Sequence, residues 1–322
     1  MMKTLRLVAL LACALAAPIA GAQAPADKPV RLIVPFAAGT TPDAVARAIA
    51  PSFGTFLGQK VVVENRPETR DGGVFDQIAK AAPDGTTLLL ATPAFVALNA
   101  IAKNLPYDGF KAFAPVARIA TEPFVLVATP TMTMSSLQDL IALARANPGQ
   151  INYASAGLGS ASHLAAEFLK SATTVQLAHS PMPNSDAALA EVVAGRAKVM
   201  FAGLGPAQAA LHGAKVKPLA VAGATRLAVL PDVPTLRETG VVDYDFSGWF
   251  GVVAPAATPK SIVDRLNSDL RKVVQTREVR DKLMALLGAE PRVTTPEDFA
   301  AQFKREAATY EKLAREMNLK LE

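Results

Sequence analysis

Apolar positions along this chain alternate between two spacings. Short continuous runs occur at Val30–Val34 (VRLIV), Lys60–Glu64 (KVVVE), Thr87–Ala91 (TLLLA) and Phe124–Ala128 (FVLVA). Runs of this length and β-branched content predict strands covered on both faces. Between them the period changes to that of a helix. Ala44, Val45, Ala48 and Ile49 make a stripe on one helical face, with Thr41 suited to the N-cap, Pro42 to the first turn and Asp43 to the positive end. Further helices are predicted over Val74–Ala82, Phe95–Ala102 and Leu137–Ala146. The last is capped by Ser135 or Ser136 and stopped by Asn147-Pro148-Gly149.

The second half repeats the opening pattern. Ile151–Ala154 reads as a strand, Ser155–Ser160 as a loop of small residues, and a helix follows with Leu164 and Phe168 one turn apart. Strands at Val175–Ala178, Lys198–Phe201 and Pro218–Ala222 are separated by helices at Ala187–Ala194 and Pro206–His212, and Trp249–Ala254 is one more apolar run. The tail is helical. Leu266, Leu270 and Val273 form one stripe, Leu283 and Leu287 another, and Phe299, Phe303, Tyr310 and Met317 a third. Strands alternating with helices predict an α/β fold with parallel-rich sheets covered by helices.

Residues 1–22 stand apart from this pattern. Lys3 and Arg6 precede an apolar stretch, Leu7–Ala17, and Ala20-Gly21-Ala22 offers a small-residue cleavage site. This order predicts a secretory signal peptide and a periplasmic mature protein. The competing reading is a lipoprotein leader ending at Cys13, which leaves only Leu7–Ala12 as its apolar core. Cys13 is the single cysteine, so the mature chain is expected to carry neither disulfide nor thiolate chemistry. Without the leader's two cations the formal charge of +5 falls by two. No basic run with interleaved aromatics is present, so no nucleic acid is expected as a partner. No later segment is a long uninterrupted apolar span.

The chemistry-bearing residues exclude more than they assign. The three histidines, His163, His179 and His212, do not stand at metal-ligand spacing, and neither a metal nor a cofactor is expected. The G-x-S-x-G elbow, the Walker lysine and the third glycine of a dinucleotide fingerprint are all missing. What remains is two glycine-containing loops, Ala37–Thr41 and Ser155–Ser160, each opening a helix. Backbone N–H groups at such places, with hydroxyls from Ser155 and Ser160, can hold a small carboxylate without a cationic side chain. His163 stands one turn inside its helix, facing either a ligand or Glu167.

Placed in order, these pieces resemble the Bug family of periplasmic solute-binding proteins, the receptors of tripartite tricarboxylate transporters. The likeness runs through KPVRLIVPFAAG, LGQKVVVENRP, AKAAPDGTTLLL, NPGQINYASAGLGSASHLAAE, VKPLAVAGATRLAVLPDVPTLRETG, SGWFGVVAPAATP and LGAEP. It implies a two-lobed periplasmic binding protein-like fold of type II, with a ligand cleft between lobes. The first lobe is expected over 27–124 plus 245–322 and the second over 125–244. It implies a monomer that captures a small carboxylate and delivers it to membrane transporter subunits, without catalysis. Phe36, Gly39 and Asp43 match the first family loop, and Ser155, Gly157, Gly159, Ser160 and His163 the second. With Thr40, Thr41, Thr92 and Met182 they form the expected ligand-binding set. A secreted hydrolase with a scattered Ser/His/Asp site is one alternative. A sensor docking on a membrane signalling partner is the other.

The departures from the family pattern fall in the loops. Thr40-Thr41-Pro42 replaces glycines and a small polar residue, and Glu68-Thr69-Arg70-Asp71 a glycine-rich GAGG. Ser180–Ser185 replaces VPYKGG, and Ala202 stands where aspartate is common. Carboxylates at 68 and 71 would repel a second ligand carboxylate, unless Arg66 and Arg70 neutralise them or their side chains point to solvent. The expectation is therefore a monocarboxylate whose other end is neutral, aromatic or amino-bearing.

Overall fold

The computed structural model describes residues 28–68, 71–241 and 246–317. The expected leader at 1–22, with Cys13, lies outside the described residues, as do Thr69 and Arg70. Strand β1 (Val30–Val34) runs parallel to β2 (Val61–Asn65) on one side and β3 (Thr87–Ala91) on the other. Burial on both faces follows from the VRLIV run, in which only Arg31 escapes the core. Its guanidinium reaches Glu64 of β2 with bonds of 2.7 and 2.9 Å. Helix α1 (Thr41–Leu57) buries Val45, Ile49, Phe53 and Leu57, and Gly58 at φ 70° ends it in the left-handed region that glycine tolerates. Two shorter helices follow, α2 (Gly73–Ala79) and α3 (Pro93–Ile101).

The middle of the molecule is antiparallel. β3 pairs with β9 (Ser247–Pro255), and β9 pairs with the sixteen-residue strand β4 (Phe113–Ala128). β4 belongs to two sheets. From Phe113 to Pro123 it matches β9, and from Phe124 to Ala128 it matches β7 (Val199–Gly203) and β8 (Lys217–Val221). β7 continues in parallel to β5 (Asn152–Ser155) and β6 (Ala178–Pro181). The strand order is β2-β1-β3-β9-β4-β7-β5-β6, with β8 attached to β4. The chain passes between the sheets twice, inside β4 at Pro123–Phe124 and again at Phe246–Ser247. At the second passage the Phe246 N–H donates to the Ala222 carbonyl at 3.0 Å. The result is a two-lobed α/β molecule.

Helices α4 (Leu137–Ala146), α5 (Ala161–Thr173), α6 (Ser185–Val193) and α7 (Leu204–His212) cover the second sheet. The tail forms α8 (Lys260–Gln275), α9 (Arg277–Leu287) and α10 (Pro296–Met317). α10 touches both halves. At its start Phe299 and Phe303 pack on Trp249 with ring centroids 5.3 and 5.8 Å apart. Towards its end Tyr310 meets Phe168 of α5 at 6.0 Å, and Ser171 donates to Glu316 at 2.7 Å.

The structure departs from the pattern-based expectations in three places. β4 begins at Phe113, not Phe124, because register shifts at Pro115/Ala117 and Arg118/Ala120 interrupt the alternation that would reveal it. β6 lies at Ala178–Pro181 instead of Val175–Ala178. Val175 and Leu177 are buried as expected but form no ladder. The sheets are mixed, since β4 and β9 oppose all their partners.

Candidate functional site

The loops at the carboxyl ends of β1, β3, β5 and β6 face one another across a cavity of about 110 Å³. Each loop feeds directly into a helix, so the N-termini of α1, α3, α5 and α6 converge there through Thr41, Thr92, Ser160 and Asn184. The first turn of a helix carries N–H groups without intrahelical partners and the positive end of the helix dipole. Two of the four are capped by their own side chains. Ser160 Oγ accepts from the His163 N–H at 3.3 Å, and Asn184 Oδ1 from the Ala187 N–H at 2.9 Å. The other two have no side-chain cap. Thr40 instead donates its hydroxyl to the Ala37 carbonyl at 2.7 Å. The described residues lining the cavity include no lysine, arginine or histidine. An anion held here would be held by backbone dipoles and hydroxyls.

The floor is made by the crossing strands, with Glu122 and Phe124 from β4 and Gly248 and Trp249 from β9. Glu122 is 8% exposed. Its carboxyl rests against Gly203 and Gly248, where a Cβ would overlap it or approach to 3.1 Å. Burial pushes its pKa up to about 7. Behind Trp249, Nε1 donates to Glu306 at 2.9 and 3.1 Å, and burial raises that carboxyl to about 7 as well.

The β1–α1 loop is fixed by Asp43. Burial alone would raise its pKa, but bonds from Arg47, the Gly39 N–H and Asn65 outweigh this and hold it below the usual range. The Gly39 and Asn65 donors lie at 2.9 Å, and Asn65 also reaches the Phe36 carbonyl at 3.2 Å. The β5–α5 loop rests on a buried aromatic stack. The His163 and His179 rings are 4.4 Å apart, and Tyr153 lies 4.8 Å beyond His179. His163 Nδ1 accepts the Gly159 N–H at 3.1 Å. Burial, then His179 and Lys170, lower its pKa to about 3, so the ring is neutral. Tyr153 donates to Glu167 at 2.5 Å, and Lys170 approaches the same carboxylate at 2.7 and 2.9 Å.

The family model of the tripartite tricarboxylate transporter family receptor, TctC, matches residues 45–319. The chain belongs to this family. Protein BugT of Bordetella pertussis is 32% identical over 312 residues, which cover 95% of this chain and 94% of that one. The structure of R. palustris Rpa4515 with adipate superposes with a TM-score of 0.79 at 32% identity, covering 91% of this chain and 98% of that one. MatC from Rhodopseudomonas palustris with bound malate gives 0.78 at 30%, covering 89% and 98%. The structure of periplasmic binding protein BugD superposes with a TM-score of 0.79 at 30% identity, covering 91% of this chain and 98% of that one, and shares the two-lobed architecture of this chain.

Of the ligand-binding residues expected from sequence, the structure of this TctC receptor brings Phe36, Thr40, Thr41, Thr92 and Ser160 to the cavity wall. Gly39, Asp43, Ser155, Gly157, Gly159, His163 and Met182 are not among the lining residues. Gly157 adopts φ 103°, and the Met182 N–H donates to the Ser155 carbonyl at 2.9 Å, which ties two of the loops together. Ser155 has no exposed surface, and its hydroxyl meets His179 Nε2 at 2.6 Å. The pair has the spacing of a nucleophile and its base, but Ser155 faces the interior and is absent from the wall. Sequence reasoning passed over Glu122, Phe124, Ser162, Asn184 and Trp249 as cavity residues. Asn184 carried a legible signal, as an N-cap type just before a predicted helix. Glu122 carried none.

Glu68 and Asp71 of the unusual loop are not among the residues lining the cavity. Glu68 Oε2 accepts the N–H groups of Val74 and Phe75 at 3.1 and 3.2 Å, and Asp71 accepts that of Gly73 at 3.0 Å. Both carboxylates are spent on the first turn of α2. Among the described residues no group of three His, Cys, Asp or Glu is arranged to hold a metal, and no helix is long and apolar enough to cross a membrane.

Proposed function

We propose that this protein is a periplasmic receptor that captures a small organic acid between its lobes and delivers it to membrane transporter subunits. The observation that carries this reading is the convergence of four helix N-termini on one cavity whose described lining has no basic side chain. Such a site selects an anion by hydrogen bonds and dipoles, which suits reversible capture better than a buried ion pair would. Adipate and malate in the related structures support a carboxylate as the ligand class. We take residues 27–124 with 245–322 as one lobe and 125–244 as the other, hinged where β4 and the 246–247 segment cross. A ligand that touches both lobes favours the closed state by that difference in contacts.

A thermal-shift screen of mono- and diacids tests the reading. A ligand at about 100 times its Kd adds roughly 2.7 kcal/mol of stability. At least one small acid is expected to raise the unfolding temperature, and Ser160→Ala is expected to weaken that acid about tenfold. A flat response to every acid would remove the proposal. Loss of uptake of that acid on deleting the gene, restored by the wild-type chain, tests delivery.

A further inference from the structure

We propose that the ligand is an amino-bearing monocarboxylate, a zwitterion whose carboxylate lies among the helix N-termini and whose ammonium is bound by Glu122. This deepens the receptor reading above and rests on it. Glu122 is more than nine-tenths buried, lines the cavity, and has no hydrogen bond or ion pair to any described residue. A carboxyl in that condition is costly to a fold, so stability alone favours an apolar or amide side chain here. The surroundings are nevertheless shaped to accept it. Gly203 caps the start of α7, and a Cβ there would overlap Glu122 Oε1; Gly248, opposite Glu122 in the β4–β9 register, would bring a Cβ within 3.1 Å of Oε2. Two small residues from distant parts of the chain make room for one carboxyl.

The cavity therefore carries two kinds of charge recognition. On one side stand the uncapped first turns of α1 and α3 with the Thr41 and Thr92 hydroxyls, all favouring an anion. On the floor stands a buried acid with its pKa raised to about 7, because nothing in the protein offsets the charge. A ligand ammonium supplies the missing partner, and the rings of Phe36 and Trp249 in the same wall favour a cation over their faces. The other ionisable residue among the described lining, Asp186, is also acidic. A diacid fits this pattern poorly. Its second carboxylate would meet Glu122, and the first turn of α2 is already filled by the chain's own Glu68.

Calorimetry on the mature protein with matched probes decides. The probes are 4-aminobutyrate, 5-aminovalerate, alanine and proline; the diacids succinate and glutarate; and the monoacids butyrate and valerate. At least one amino acid is expected to bind wild type about tenfold or more tightly than the monoacid and the diacid nearest to it in length. Glu122→Gln is expected to weaken that amino acid about tenfold while leaving the monoacids unchanged or improved. Glu122→Asp keeps the charge and is expected to lose less than Glu122→Gln. Circular dichroism of both variants checks the fold. Tighter binding of a diacid than of any amino acid, or an amino-acid affinity within twofold in Glu122→Gln, would overturn the inference while leaving the receptor reading intact. Silence from all the probes in wild type would also overturn the inference, whereas the receptor reading falls only with a flat response to every acid in the thermal-shift screen.

Discussion

Ionising a buried carboxyl that has no partner costs free energy, and Glu122 makes the folded chain respond to pH through that cost. The unfolded chain ionises this acid near its ordinary value of 4.5, the folded chain near 7. Between those values the folded state holds the extra proton, so stability is full below about 4.5 and falls as pH rises to 7. Glu306 adds a dependence of the same sign. Thermal unfolding of Glu122→Gln at pH 8 is expected to occur roughly 5 °C above wild type, with the gap closing near pH 4.5. Asp43 acts in the opposite sense. Its depressed pKa stabilises the fold above 3.8, and that contribution is lost as pH falls further. Asp43→Ala frees the Gly39 and Asn65 donors and is expected to cost about 1–3 kcal/mol in denaturant unfolding. It should also weaken acid binding, because the Phe36–Thr41 loop loses its anchor. Phe36, Thr41 and Ser160 were legible in sequence because strand end, small loop and capped helix are local patterns. Glu122 was not, since its setting depends on Gly203 and Gly248, far along the chain.

Among the elements, those whose burial is written into a local period were legible. β1 and β3 are continuous apolar runs, and α4 carries its own capping box at Ser136 and Asp139. β4 was half hidden because it owes its first eleven residues to pairing with β9, across more than a hundred residues of sequence. The tail helix α10 packs on Trp249 of β9 and also meets α5 through Tyr310, Phe168 and the Ser171–Glu316 bond. No periodicity signals which neighbour an apolar face will meet. Tyr310 is 2% exposed. Tyr310→Ala is expected to cost about 3–5 kcal/mol in denaturant unfolding, as for other buried aromatic truncations. Hydrogen exchange should rise in α5 as well as in α10, which a contact confined to one lobe would not produce.

For the whole molecule, two backbone crossings and the α10 contacts are the links that the proposed lobe closure has to bend. Small-angle scattering is expected to give a smaller radius of gyration with a bound acid than without, and identical curves would argue for a site that is already closed. The sequence has one tryptophan. Trp249 sits on β9 at the cavity floor, 2% exposed, with its Nε1 on Glu306. The protein thus carries a single tryptophan, which can be excited apart from its four tyrosines, at the floor between the two sheets where the proposed hinge lies. Its emission is expected to shift as an acid fills the cavity and the lobes close, without a label, and a titration of colour and intensity against added acid checks this directly in solution.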